Sequence, residues 1–177
     1  RSYALHDYAE VCRALELRGD ERVIDAGGGL GVLAHHIVDA HPLAEVTVLE
    51  RPEVVAMAPS GSAVRWLSGS LFEPWKAQAD AVVLARVLHD WDDADAIQIL
   101  KHARTALSSG GRVYVVEMLA PEAGVAGALC DLHLLVVTGG RERSASHLNR
   151  LLETAGFEPV ALRRLPALPS VLVGAVP

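Results

Sequence analysis

Short apolar runs alternate with longer helical patterns from residue 22 onward, and this alternation restricts the fold more than any other feature of the chain. Arg22 to Ala26 (RVIDA) reads as a buried strand, and Val32 to Ala40 as a helix after a glycine-rich turn. Glu45 to Leu49 is a β-branched strand, and a helix begins at Pro52 to Ala58. Val64 to Leu67 and Asp80 to Ala85 are predicted as the third and fourth strands. Asp92 to Leu107 carries Ala96, Ile99, Leu100, Ala103 and Leu107 at helical spacing, and Gly110-Gly111 is expected to stop that helix. Arg112 to Val116 is the fifth strand. Such a series predicts a parallel sheet with helices on both faces. The tail breaks the pattern. A helix over Ser146 to Ala155, closed by Gly156, leads to strands Val160 to Leu165 and Ser170 to Val176. Only a few residues join these strands, too few for a parallel crossover, so they are predicted to pair antiparallel.

The chain has 177 residues, half of them apolar, with a formal net charge of −6 and two cysteines. One domain with a sizeable core is expected. An acidic balance without a basic cluster argues against nucleic acid or an anionic membrane as partner. Its apolar runs are far shorter than the roughly 18 residues that span a bilayer, and two cysteines make no disulfide framework. A soluble cytoplasmic protein is the expectation.

In open α/β sheets, ligands bind beyond the carboxyl ends of the strands. The polar residues predicted there are Asp25, Glu50, Ser70, His89 and Glu117, an acid-rich cleft with a single histidine. Asp25-Ala26-Gly27-Gly28-Gly29-Leu30-Gly31 joins the first strand to its helix, and glycines there let the backbone approach a ligand closely. Glu50 is placed to accept hydrogen bonds from a ribose. A carboxylate at Asp25 would repel a pyrophosphate but suit a ligand bearing an ammonium and a sulfonium. The charge pattern therefore points to S-adenosylmethionine rather than a dinucleotide.

Arg86-Val87-Leu88-His89-Asp90-Trp91-Asp92-Asp93 follows the fourth strand. Asp90, Asp92 and Asp93 fit helix capping. His89 is a candidate general base, since imidazole titrates near neutrality. Glu117 and Glu142 are candidate carboxylates for its distal nitrogen, although Arg141-Glu142-Arg143 also reads as a surface charge run. The remaining histidines show no metal-ligand spacing, and no metal is expected.

Together these residues resemble the S-adenosylmethionine-dependent O-methyltransferases of the plant caffeate and bacterial polyketide-tailoring type. The matching stretches are VIDAGGGLG, LERPEVV, RVLHDWDD, GGRVYVVEML, DLHLLVVTGGRER and LLETAGF, in family order over nearly the whole chain. The resemblance implies an α/β, Rossmann-like class I methyltransferase fold: a seven-stranded, mostly parallel sheet with an antiparallel last strand. It implies His89 as base, flanked by Glu117 and Glu142. It places cofactor contacts at Asp25, Gly27, Gly29, Glu50, Ser70, Leu71 and Ala85, and acceptor contacts at Asp90, Asp131 and Leu134. Ser70 stands where family members usually carry an acid, and Ala85 where serine or lysine is common.

The implied reaction is methyl transfer from S-adenosylmethionine to a phenolic or enolic hydroxyl of a small natural product. Two alternatives stay open: non-methylating chemistry (hydroxylation, decarboxylation or pericyclic) on the same site, or a cofactor-binding interaction module. Residues 1–18 are expected to form a connecting helix leading into a catalytic domain of residues 19–177, without the family's N-terminal helical domain. Tyr3, Leu5, Tyr8, Val11 and Leu15, with Leu132, Leu135 and Val136, are expected to form uncovered apolar surface for a homodimer or a helical partner.

Overall fold

The computed structural model describes residues 4–59, 61–120, 142–165 and 169–177, with side chains from residue 8 onward. Seven strands form one sheet: β1 (Arg22–Ala26), β2 (Glu45–Glu50), β3 (Arg65–Ser68), β4 (Ala79–Ala85), β5 (Leu107–Glu117), β6 (Glu158–Arg164) and β7 (Ser170–Ala175). Their order is β3-β2-β1-β4-β5-β7-β6. β1 to β5 pair parallel, while β7 runs antiparallel between β5 and β6. The predicted doubly covered sheet with its antiparallel last strand is thus the observed one. Central strands are apolar on both faces because both are covered: β4 buries Ala79, Ala81, Val82, Val83 and Leu84.

Helices α1 (Ala4–Leu15) and α2 (Val32–Ala40) pack on one face with Val23, Val46, Val48, Val83, Val116 and Val173. Helices α4 (Asp93–Ala106) and α5 (Ala145–Thr154) cover the other, against Ile24, Val82, Leu84, Val113, Val115 and Leu172. The short α3 (Pro52–Val55) lies beyond β2. Period-2 alternation along the strands feeds these two cores in turn.

Two expectations need correction. Val11 and Leu15 are fully buried against α2 and β7, so this part of the α1 face is covered within the fold, while Tyr3 and the Leu5 side chain lie outside the described residues. Arg163 of β6 fixes its end, donating to the Ala14 carbonyl and pairing with Glu16 at 2.6 Å. Leu132, Leu135 and Val136 lie outside the described residues. The glycine pair at 110–111 does not cap α4. Leu107 turns extended instead and pairs with Ala79; the ladder with β4 resumes at Arg112 opposite Ala81, leaving residues 108–111 as a fold-back within β5. Gly110 takes φ 72°, and a Cβ on Gly111 would stand 2.8 Å from the Ser108 carbonyl. The glycines are needed for that fold-back rather than for ending the helix.

Candidate active site

At the carboxyl ends of β1, β2 and β4, a cavity of about 350 Å³ is lined by Gly27, Glu50, Ser70, Leu71, Phe72, Arg86, Asp90 and Trp91, among others. The glycine turn forms one wall. Gly27 has φ 73°, and a Cβ there would stand 2.9 Å from Val87 Cγ2, so this wall admits no side chain. The Gly27 N–H donates to the Leu49 carbonyl at 2.9 Å, tying the turn to β2. Glu50 Oε1 accepts from the Gly29 N–H at 3.3 Å, and Oε2 from the Arg51 N–H at 2.8 Å. Ser70 Oγ accepts from the Phe72 N–H at 3.1 Å, shaping the loop that places Leu71 and Phe72. Phe72 meets Trp91 edge to face, with ring centroids 4.6 Å apart. A larger groove of about 540 Å³ between α1 and α2 holds Cys12, His36 and His41 but lies on the α1–α2 face, apart from this set.

Asp25 is placed differently from the sequence reading. Its side chain is enclosed beneath the glycine turn, 0% exposed, and a Cβ on Gly28 would lie 2.5 Å from Oδ2. Neither carboxyl oxygen makes a well-aligned hydrogen bond. Burial pushes its pKa up to about 7; the Ala34 N–H opposes this, and the Glu50 carboxylate adds to it by less. Asp25 supports the turn from below rather than presenting a charge to the cavity. Ala85 likewise faces the α1–α2 layer, away from the cavity lining.

β4 ends in strain. Arg86, at φ 57°, adopts the left-handed conformation, and a 3₁₀ turn over Leu88–Asp90 follows immediately. This turn carries His89, whose side chain is 7% exposed. Glu117, at the end of β5, places Oε1 against three backbone N–H groups, those of Val87 (3.1 Å), Leu88 (2.9 Å) and His89 (3.3 Å). Its Oε2 lies 3.1 Å from His89 Nδ1, close but not in line for a straight hydrogen bond. Glu142 Oε1 is 4.0 Å from the same nitrogen. Asp90, which lines the cavity, places Oδ1 3.6 Å from Nε2, while His89 itself is not part of the cavity lining.

Burial disfavours the imidazolium, but the Glu117 and Asp90 carboxylates outweigh burial and the Arg86 charge, so the His89 pKa is raised. The arrangement can take a proton at Nε2 and stabilise the resulting cation at Nδ1. Donor atoms of His89, Glu117 and Glu142 also lie within 4.8 Å of one another, compact enough to hold a metal ion.

The structure therefore brings together Gly27, Gly29, Glu50, Ser70, Leu71, Asp90, His89, Glu117 and Glu142. Asp131 and Leu134 lie outside the described residues. Of the three aspartates read as caps, only Asp92 caps α4, accepting from Asp95 N–H at 2.9 Å. Asp93 instead pairs with Arg143 and His147, each at 2.9 Å. The surface-run reading of residues 141–143 fails at Glu142 and Arg143, both buried. Sequence reasoning missed Arg143; the only signal was a basic residue directly beside a candidate site acid.

Residues 5–158 match the family model of an O-methyltransferase domain. The chain is 39% identical over 168 residues to the acetylserotonin O-methyltransferase of Mus musculus, covering 87% of this chain and 43% of that protein. It is also 39% identical over 164 residues to the mitomycin biosynthesis 6-O-methyltransferase of Streptomyces lavendulae, covering 88% and 47%. The chain thus spans under half the length of these relatives. Among solved structures, an O-methyltransferase from neocarzinostatin biosynthesis, in complex with S-adenosyl-L-homocysteine and 1,4-dihydroxy-2-naphthoic acid, superposes with a TM-score of 0.82. It shares 32% identity, over 96% of this chain and 53% of that one.

Proposed function

Because the chain belongs to the O-methyltransferase domain family, we propose that it is the catalytic portion of an S-adenosylmethionine-dependent enzyme that methylates a phenolic or enolic hydroxyl of a small natural product. The observation that carries this reading is His89, set between two buried carboxylates at Nδ1 and, at Nε2, Asp90 of the cavity lining. The neocarzinostatin relative, with a hydroxylated aromatic acid bound, supports the acceptor class.

The cavity fits the methyl donor on three counts. Its volume falls within the roughly 300–1,000 Å³ of small-molecule sites. The wall at Gly27 has no room for a side chain and lets a ligand lie against backbone. Glu50 supplies carboxylate oxygens at the cavity rim, where a ribose could donate to them. When bound, the donor supplies an activated methyl group on a sulfonium.

The chain's own residues supply alignment and a proton acceptor. His89 Nε2 takes the acceptor's hydroxyl proton as the oxygen attacks. Glu117 and Glu142 hold Nδ1–H toward the carboxylates and stabilise the imidazolium. Glu117 is pinned in turn by the three N–H groups at Oε1, so it fixes both the turn and the ring. Asp90, beside Nε2, borders the acceptor, and Asp131 and Leu134 are assigned to the acceptor side. Ordering donor and acceptor within this cavity provides much of the acceleration. We read the three donor atoms near His89 as a proton site without metal. We also place the protein in the cytoplasm; among the described residues no helix is long and apolar enough to cross a membrane. Residues 1–18 are assigned to a connecting helix and 19–177 to the catalytic domain, working as a homodimer or with a helical partner.

The decisive experiment pairs calorimetry of S-adenosylhomocysteine binding with methyl-labelled S-adenosylmethionine and a panel of hydroxylated aromatic acids. Binding with label in the product is expected. Product without label would favour the non-methylating alternative, and no heat at millimolar ligand would exclude every reading that needs the cofactor.

A further inference from the structure

The turn that carries His89 is gripped from two sides. Its N–H groups point to Glu117, as described; its carbonyls point the other way, to Arg143. Arg143 Nη1 donates to the Leu88 carbonyl at 2.7 Å, at the start of the 3₁₀ turn. Nη2 donates to the Trp91 carbonyl at 2.6 Å, just past its end. Nε donates to Asp93 Oδ1 at 2.9 Å, in the first turn of α4. His147, on α5, meets the other Asp93 oxygen at 2.9 Å. The Arg143 side chain is 1% exposed. Its own backbone is anchored too: the carbonyl accepts from Ala120 N–H at 3.0 Å, and the next residue, Ser144, caps α5.

A buried guanidinium inside the methyltransferase core must answer for its desolvation, and it does so with three acceptors, one for each of its nitrogens. Two are main-chain carbonyls bracketing His89: that of Leu88, which also accepts from the Trp91 N–H at 3.3 Å within the turn, and that of Trp91 just past it. A lysine has the charge but not the fork, and cannot serve all three from one position. Arg143 also lies next in sequence to Glu142, so the residue that fixes the turn and the acid that faces His89 move as one unit.

We propose that Arg143 is a positioning residue for His89, clamping the carbonyl side of the 3₁₀ turn so that the imidazole stays against Glu117 and Glu142 with Nε2 on the side of Asp90. This rests on the reading of His89 as the base. A displacement of about 1 Å at such a group costs on the order of 10²-fold in turnover.

The test uses Arg143→Lys, which keeps the charge and removes the fork. With ¹³C-labelled histidine, the His89 resonance is assigned by its loss in His89→Ala and titrated by NMR in the whole chain, without acceptor. Wild type should titrate above the ordinary imidazole value. Arg143→Lys should move it back toward that value, because the ring leaves Glu117, while S-adenosylhomocysteine affinity stays within about threefold of wild type. The catalytic consequence is read as kcat falling roughly 10²-fold with little change in KM for the donor. In a His89→Ala background the Arg143→Lys change should add almost nothing. If Arg143→Lys does not fold, Asp93→Asn, which weakens only the outer anchor, should shift the His89 titration in the same direction and less far. An unmoved His89 titration, or an undiminished Arg143→Lys effect in the absence of His89, overturns the proposal. Unchanged turnover in His89→Ala alone overturns the base assignment instead, and the two failures are distinct.

Discussion

Asp25 should make this domain less stable as pH rises from 4 to 7, and Asp25→Asn should abolish that trend. The carboxyl has no exposed surface and no well-aligned hydrogen bond, and its pKa stands at about 7 against an ordinary 3.8. The folded state therefore holds a proton that the unfolded chain releases near pH 4. Below that pH both states are protonated and nothing is lost. Between the two values, stability falls by about 1.4 kcal/mol per pH unit, and above pH 7 the loss levels off. Three units give an upper figure of about 4 kcal/mol. Asparagine has nearly the shape of the neutral acid and no charge to bury. The assay is urea denaturation of both proteins followed by tryptophan fluorescence at pH 5, 6, 7 and 8. Other titrating groups, His89 among them, are common to both proteins and cancel in the difference. At pH 8 the variant should be the more stable, by at least ~1 kcal/mol, or about 2–4 °C in Tm. Parallel stability curves across this range would refute the burial argument. Because the carboxyl is enclosed, S-adenosylhomocysteine affinity should change by under ~1 kcal/mol; a loss of tenfold or more would restore Asp25 as a direct ligand.

A raised His89 pKa means that kcat/KM, measured across pH 5–9, should climb through a value above ~6.5, since the base works neutral; an ascending limb below that value contradicts the Glu117 pairing. Stability runs in the opposite sense: the imidazolium's contribution is present below the ordinary value and is lost as pH rises through the folded one. His89→Ala should cost on the order of 10²–10⁴ in turnover. Gly27→Ala should lower stability by about 1–2 kcal/mol for its left-handed backbone and weaken S-adenosylhomocysteine binding at least tenfold through the Val87 contact; unchanged calorimetry would count against the cavity assignment. Dialysis against a chelator should leave turnover intact, and restoration of a lost activity by one divalent metal would convert the His89, Glu117 and Glu142 cluster into a metal site.

What could be read from the chain was what depends on periodicity and chain reach. β-branched runs such as Glu45 to Leu49 marked strands because sheet burial rewards them on both faces, and the short link before Ser170 left only an antiparallel pairing. The start of β5 was hidden because Ser108 to Gly111 look like a helix stop locally. Only the ladder from Leu107 to Ala79 shows that the glycines serve a fold-back. Within the site, residues at strand ends were legible, since the sheet's polarity dictates where β1, β2 and β5 terminate. Orientation was not. Asp25 and Glu50 both end their strands, yet one lies under the glycine turn and the other at the cavity rim. Arg143 was illegible for a further reason: its three acceptors, Leu88, Trp91 and Asp93, lie 50 or more residues away in sequence, and no local pattern announces a contact at that range.

The place of β7 in the sheet has a consequence for how the molecule acquires its chemistry. β7 is made after β6 yet lies inside it, so β5 lacks its second neighbour and β6 has none in the sheet until that last strand inserts. Until then β5 presents an unpaired edge of Val113, Tyr114, Val115 and Val116, the kind of edge that recruits strands from other molecules. The final rung of that ladder pairs Glu117 with Ser170, so the strand end that aims Glu117 at the His89 turn is held on one side by β4 and gains its second neighbour only by this insertion. A nascent or partly opened chain would hold its glycine turn and first strands in native order while lacking a competent base. Ligand affinity and turnover would then be lost at different denaturant concentrations, the turnover first.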